Sequence, residues 1–439
     1  MSRRYWAILA GIAVIALSVG YIVVRNPAFL KPRTEAYTPQ VSPQEVRSEV
    51  IGQAYPRHWE SWLKNRDMSK GPSKYNGSQA EDHLARYPYM KILWAGYPFA
   101  EDYKDDRGHV YALEDVTKTG RKPAFAVCLT CKSTQVPQTI VNMGDAYYSA
   151  PFKEVAASMT ESIGCSDCHN PADMSLRITR PALREAFQRM GKDIDKVSHQ
   201  EMRTLVCAQC HVEYYFEKDT KKLRFPWDKG TDPEQVYAYY QEIGFSDWTH
   251  ADTGNAMVKA QHPDYEMSMG GVHQTAGLSC ADCHMPFIVE GNVKYTSHWM
   301  TSPLKHMEEA CTVCHRRGVE ELKARVFYTQ DRVKEALDRA GWANAKVVKA
   351  LVAAKNNSRA DQAKLQQAMA LQREAQWYWD WVSAANDMGF HNPQKALSTL
   401  SKSIDLAQEA YAKVAEALGV PEPQLSREEA KERPTPQNQ

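Results

Sequence analysis

Ten cysteines fall into five C-x-x-C pairs with none left over: Cys128 and Cys131, Cys165 and Cys168, Cys207 and Cys210, Cys280 and Cys283, Cys311 and Cys314. Chance placement gives well under one such pair, so the spacing reports chemistry. Four pairs are followed at once by histidine, in "CSDCH", "CAQCH", "CADCH" and "CTVCH". That is the C-x-x-C-H attachment motif of haem c. Two thiols a helical turn apart reach the two vinyl groups of one porphyrin, and the next imidazole lies under the ring and binds iron. His169, His211, His284 and His315 are therefore the expected proximal ligands. Zinc ribbons join two C-x-x-C units into one tetrahedral site, which five units with trailing histidines do not match. A thiol redox site needs one such unit near a βαβ pattern, not five.

The fifth pair reads "CLTCK" and places Lys132 where the other motifs have histidine. Its cysteines can attach a fifth haem in the same way. A lysine amine binds iron only without its proton, which the metal must displace against a free pKa near ~10.4. A haem with two histidine ligands is coordinatively full and only moves electrons. One with another proximal ligand and no distal side chain keeps an open position for a substrate. The plain alternative is a surface Lys132 with a more distant histidine on that iron.

Four C-x-x-C-H motifs preceded by one C-x-x-C-K resemble the pentahaem cytochrome c nitrite reductases, exported enzymes that reduce nitrite to ammonia. The stretches "ILWAGYPF", "RGHVYALEDV", "CAQCHVEYYF", "FSDW" and "KAQHPDYE" are similar to that family's pattern, which runs from about Tyr55 to Val420. The resemblance implies a distal trio of Arg107, Tyr214 and His262 beside the Lys132 haem. It implies a calcium site of Glu213, the Tyr214 and Lys259 carbonyls and Gln261, a donor set suited to a hard cation. It assigns His109, His273, His298 and His391 as distal ligands, with their pairing to individual haems left open. His58, His83, His199, His250 and His306 remain as ordinary surface or core residues. The implied activity is six-electron reduction of nitrite to ammonium, fed by a membrane or periplasmic donor such as a quinol-oxidising cytochrome. Without the family, a haem propionate is an equal partner for Arg107. Two rival readings are a pure electron carrier with saturated haems and a related reductase acting mainly on hydroxylamine or sulfite.

Positioning these groups takes a mainly α, haem-packed body with few short strands and long C-terminal helices. Net charge is +1 over 439 residues, so bulk electrostatics imply no nucleic acid. The expected organisation is a membrane anchor or signal segment at 1–25, a linker at 26–50, a five-haem body at 51–315, a long-helix region at 316–420 and a flexible tail at 421–439. Arg3 and Arg4 precede an apolar run of 18 residues, Ala7 to Val24, the lower limit for a membrane span. Basic residues ahead of it put the body in the periplasm or another extracytoplasmic space. A cleaved signal peptide with "SVG" at Ser18 to Gly20 has the same consequence. Glu213 to Trp227 reads as a small hairpin. No proline occurs between Leu304 and Asn392. Apolar spacing predicts one helix from Val319 to near Gly341, a second capped by Ser358, and a third starting at Asn392-Pro393 and ending near Gly419. The cluster Trp377, Tyr378, Trp379 and Trp381 reads as core. By resemblance, the long helices form a homodimer interface and carry His391 at the head of the third.

Overall fold

The computed structural model describes residues 41–75 and 78–421, together with residues 6, 11–18, 21 and 33–34 nearer the N-terminus. Residues 11–18 are helical. Among the described residues no helix is long and apolar enough to cross a membrane, and much of the Ala7 to Val24 run lies outside them.

Helices dominate, and the ones that matter here are few. Helix α1 spans Tyr89–Leu93, α2 Cys165–Cys168, α3 Pro181–Arg189, α4 His199–Ala208 and α5 Cys280–His284. Three long helices follow: α6 (Val319–Lys355), α7 (Gln362–Ala384) and α8 (Pro393–Leu418). The strands are short. β1 (Arg33–Thr34) lies parallel to β7 (Val293–Thr296), which pairs antiparallel with β6 (Phe287–Glu290). β2 (Tyr215–Phe216) with β3 (Leu223–Arg224) makes the hairpin expected in that stretch. β4 (Trp248–Thr249) pairs with β5 (Ala256–Met257).

The third long helix starts and stops as its sequence predicts. Asn392 accepts from the Lys395 amide at 3.1 Å, Pro393 opens the helix, and Gly419 closes it in the left-handed region at φ 67°. The other two differ from expectation. Helix α6 does not end near Gly341 but runs on for 37 residues in all. That glycine is a packing residue: a Cβ there would lie 2.4 Å from the Tyr89 ring, so α1 can meet α6 only across a bare backbone. Helix α7 is capped by Asp361 rather than Ser358, its carboxylate accepting from the Ala363 amide at 2.9 Å.

The three long helices pack together through small residues, among them Ala350, Ala354, Ala368, Ala407 and Ala410, all buried. A polar thread sets their register: the Asn344 amide donates to Ser403 Oγ at 3.0 Å, and that hydroxyl donates to the Ala375 carbonyl at 2.6 Å. Leaving either group unpaired in this core costs about 1–3 kcal/mol, which penalises slippage. Trp377, Tyr378, Trp379 and Trp381 pack with Trp94, Tyr89 and Leu93 into one core. Truncating any one of these tryptophans to alanine costs about 3–5 kcal/mol. A second core, built on Leu129, Leu183, Leu205 and Phe225, lies beneath the first haem-attachment loops.

Candidate active site and haem-binding groups

None of the ten cysteines is in a disulfide. Cys165 to Cys168 form the short helix α2, Cys207 ends near the last turn of α4, and Cys280 to His284 form α5. The spacing thus falls on helical turns where both thiols project to one side. Thiols of different motifs also meet: Cys131 with Cys210, and Cys207 with Cys280. Cys168 feels Cys210, and Cys283 feels Cys311. The Cys207–His211 motif is therefore the hub, with the lysine motif on one side of it.

Each of the four motif histidines faces one of the expected distal histidines at nearly constant separation. Ring centroids lie 6.0 Å apart for His169 and His298, 6.1 Å for His211 and His109, 6.1 Å for His315 and His273, and 6.2 Å for His284 and His391. Two imidazoles binding one metal at about 2 Å each need centroids about 6 Å apart. The donor set and its spacing thus fit four iron atoms, and they pair each expected distal histidine with one motif.

The second nitrogens are arranged to suit. His169 Nδ1 meets the Met174 carbonyl at 2.8 Å, His284 Nδ1 the Thr301 carbonyl at 2.9 Å, and His298 Nδ1 the Thr296 carbonyl at 2.9 Å. A carbonyl can only accept, so each Nδ1 carries the proton and Nε2 keeps its lone pair for a metal. Burial pushes His109 down to about 3, His284 to about 4 and His298 to about 3, so these rings are neutral near pH 7. His58 stacks edge-on to His298 at 5.1 Å. His250 is buried, its Nε2 2.9 Å from the Ile92 carbonyl.

Lys132 is half-buried, its amide donating to the Leu129 carbonyl at 2.9 Å. Asp106, His109 and His262 lie close enough to Lys132 to interact with it electrostatically. Desolvation works against a charged Asp106, which still reaches solvent, but Lys132, His262, His211 and Arg121 together hold its carboxyl below the ordinary value. Asp106 was not foreseen; an acid in "KDDRGH" carries no motif. Burial lowers His262 and Lys132 adds to this, while Asp264 opposes. Asp264 Oδ2 lies 3.2 Å from both His262 Nε2 and His211 Nδ1. Burial disfavours its charge, yet those two imidazoles hold its carboxyl well below the carboxylate range. Burial raises the Tyr214 hydroxyl, so it stays protonated.

The arginine of the expected trio pairs with acids on the helical turn that follows it. Arg107 Nε donates to Asp115 at 2.9 Å, its NH2 lies 3.4 Å from Glu114, and the guanidinium covers the Tyr111 ring at 4.0 Å. Arg121 instead sits over the Phe99 ring at 4.2 Å, and its charge acts on Tyr214, Asp106 and Cys128. Arg107 finds two carboxylates on the helical turn that follows it. The Arg121 Nε donates to Thr119 Oγ1 at 3.1 Å, which aims the side chain.

The expected calcium donors converge. Glu213 is fully buried; it accepts from the Tyr240 hydroxyl at 2.9 Å and from the Gln261 amide at 2.6 Å. Gln261 Nε2 donates to the Lys259 carbonyl at 3.1 Å. Burial raises the Glu213 carboxyl well above its ordinary value. The Lys259 ammonium does not neutralise it, because that group pairs with Asp380 at 2.9 Å. A buried carboxylate beside the Lys259 carbonyl and the Gln261 side chain is a donor set a calcium ion fits.

Paired imidazoles over C-x-x-C-H turns, inside a mainly helical body, define a multihaem c-type cytochrome. The chain belongs to the cytochrome c552 family, whose pattern it matches over residues 47–434. It is 40% identical to the cytochrome c-552 of Bacteroides fragilis over 98% of this chain and 90% of that protein. It is 36% identical to the cytochrome c nitrite reductase subunit NrfA of Nitratidesulfovibrio vulgaris, over 92% of this chain and 86% of that one. The solved catalytic subunit of cytochrome c nitrite reductase from Desulfovibrio desulfuricans, described with two calcium sites, superposes with a TM-score of 0.84 at 36% identity. That match covers 88% of this chain and 90% of the other.

Proposed function

We propose that this chain reduces nitrite to ammonium, a six-electron reaction, at a haem held by Cys128 and Cys131 and ligated by Lys132. The observation that carries this reading is the histidine pairing. Eight rings form four pairs, and Lys132, in the fifth motif, belongs to none of them. When bound, the haems supply electrons, and the lysine-ligated one supplies an open coordination position.

The side chains around it do the rest. Arg121, not Arg107, offers a permanent positive charge that draws in the anion and stabilises charge growing on oxygen as an N–O bond breaks. His262 is the general acid, with Asp264 opposite its Nε2 to hold the ring and favour its protonated form. Tyr214 donates a hydrogen bond from a hydroxyl that burial keeps protonated. Glu213, the Tyr214 and Lys259 carbonyls and Gln261 would hold calcium, which would tie together the two segments that carry Tyr214 and His262. Loss of either segment's placement by 1 Å can slow catalysis about a hundredfold.

The rest of the reading is organisational. The N-terminal segment, as anchor or cleaved leader, exports the body to the periplasm. The long helices α6 to α8 form a homodimer interface, and a membrane or periplasmic electron donor feeds the haems. The test is direct. The oxidised protein should show one high-spin haem among low-spin ones, and should reduce nitrite faster than hydroxylamine or sulfite with a reduced viologen dye. Lys132→His with all haems retained should lower nitrite turnover. An all-low-spin spectrum with no nitrite turnover would leave only an electron carrier.

A further inference from the structure

We infer that Arg180 is a positioning residue: it clamps the C-x-x-C-K loop to two neighbouring haem loops and so sets where Lys132 stands. The inference rests on the reading of Lys132 as an iron ligand. Arg180 lies between the "CLTCK", "CSDCH" and "CAQCH" motifs in space although it belongs to none of them. It is 1% exposed.

Its donors are committed one by one. Nε donates to the Thr130 carbonyl at 2.9 Å, and NH2 to the Ser133 carbonyl at 3.0 Å. Those two carbonyls bracket Cys131 and Lys132. NH1 donates to Thr179 Oγ1 at 2.6 Å and pairs with Asp167, a middle residue of the second motif. The Arg180 amide donates to Gln209 Oε1 at 3.2 Å, and Gln209 is a middle residue of the third motif. Gln209 Nε2 returns to the Asp167 carbonyl at 3.0 Å, closing the ring of contacts. The other Asp167 oxygen accepts from the Gly164 amide at 2.8 Å, so the acid also caps its own haem helix.

A planar guanidinium spreads its donors in a fixed fork, which no other side chain can do. One hydrogen bond lets a loop pivot. Two bonds to carbonyls on either side of Lys132, with a third arm on Asp167, remove that freedom. The backbone of Lys132 is thereby referred to the helix that carries Cys165 and Cys168. Burying a charge pair is a poor way to gain stability, since apolar residues of similar volume do as well or better. The fork is better explained by the geometry it imposes. Histidine reaches iron from the motif through a short rigid ring; lysine has four flexible carbons and depends more on a fixed backbone.

The test uses the holoenzyme. Arg180→Gln and Arg180→Lys would be purified, their haems counted by intact mass, and their oxidised spectra and nitrite kinetics recorded. The expected result is a full haem count, a shifted or split high-spin signal, unchanged low-spin signals from the Cys280 and Cys311 motifs, and kcat lowered about tenfold to a hundredfold. Lysine should not rescue, because one ammonium cannot span both carbonyls and the carboxylate. Loss of the Cys128 haem alone would equally support the clamp. A fully loaded Arg180→Gln protein with the wild-type high-spin signal and kcat overturns it. Should that variant fail to accumulate because Asp167 is left as an unpaired buried charge, the double variant Arg180→Met with Asp167→Asn removes both charges. A shifted high-spin signal there supports the clamp; a wild-type signal, or failure to take up any haem, overturns it. The wild-type protein keeps the two readings apart: if it shows no high-spin haem, the Lys132 reading has failed, not the clamp.

Discussion

His211 and His262 lie ring to ring at 4.6 Å and reach the same carboxylate, that of Asp264. One ring belongs to the central haem motif and the other to the substrate pocket. The acid between them is pinned from a third side, since the Asn386 amide donates to its Oδ1 at 2.8 Å. Asp264 favours the protonated form of His262 against burial. A general acid must be protonated to work, so activity falls as pH rises through its pKa. Asp264→Asn removes the favouring charge and lowers that pKa. The alkaline limb of the kcat profile should therefore move to lower pH, with turnover at pH 7 down about tenfold to a hundredfold. An unmoved limb would show that His262 does not depend on this carboxylate.

What could be read from the sequence divides along physical lines. Thioether attachment demands local spacing, so all ten cysteines and four motif histidines stand out without coordinates. Helix α8 was legible because Asn392, Pro393 and Gly419 act on their own backbone. Gly341 misled because its role is set by the Tyr89 ring, about 250 residues away in sequence, and tertiary packing overrides the helix penalty of glycine. Arg107 is held by local partners instead. It sits beside His109 in a recognisable stretch, but two nearby acids capture it, while Arg121 follows an unremarkable "KTG". Asp264 and Arg180 were invisible as functional residues because their partners come from distant segments.

The histidine pairing can be tested one haem at a time. His391 faces His284 at 6.2 Å, and its amide donates to Asp387 at 2.7 Å, so the backbone there is held independently of the ring. His391→Met should keep the full haem count and raise the reduction potential of the Cys280–Cys283 haem, because a Met/His pair favours the reduced state. A redox titration monitored in the visible band would show one component moving and the others still. Movement of the His315 component instead would mean the pairs are wrongly assigned.

The two arginines give opposite expectations. Arg121→Gln removes the fixed charge that reaches Tyr214 and Asp106. Nitrite kcat/KM should fall by about a hundredfold or more, the loss typical of one charge-stabilising donor. Arg107→Gln breaks a half-exposed pair with Asp115 and Glu114, worth about 1 kcal/mol or less. Its kinetics should stay near wild type. If Arg107→Gln is the crippled variant, the pocket has been drawn with the wrong cation.

Lys259 and Asp380 make the most deeply buried ion pair near the pocket, with side chains 1% and 0% exposed. Asp380 lies on α7, and its second oxygen accepts from the Ala260 amide at 3.0 Å. The Lys259 ammonium also covers the Trp94 ring at 4.7 Å and leaves its own carbonyl to Gln261. Helix α7 thus holds the segment that carries the calcium donors and His262. Burial pushes the Asp380 carboxyl up to about 6, with Lys259 opposing. Asp380→Asn leaves the ammonium buried without its counter-charge, which costs about 3–5 kcal/mol. Thermal unfolding should begin at markedly lower temperature, and a calcium chelator should inactivate the variant at lower concentration than wild type. Asp380→Leu paired with Lys259→Met restores charge balance with apolar groups. That double variant should recover most of the lost stability, because the penalty comes from the orphaned charge and not from the missing bond. Recovery of stability without recovery of chelator resistance would separate the two roles of the pair, one in the core and one at the calcium segment.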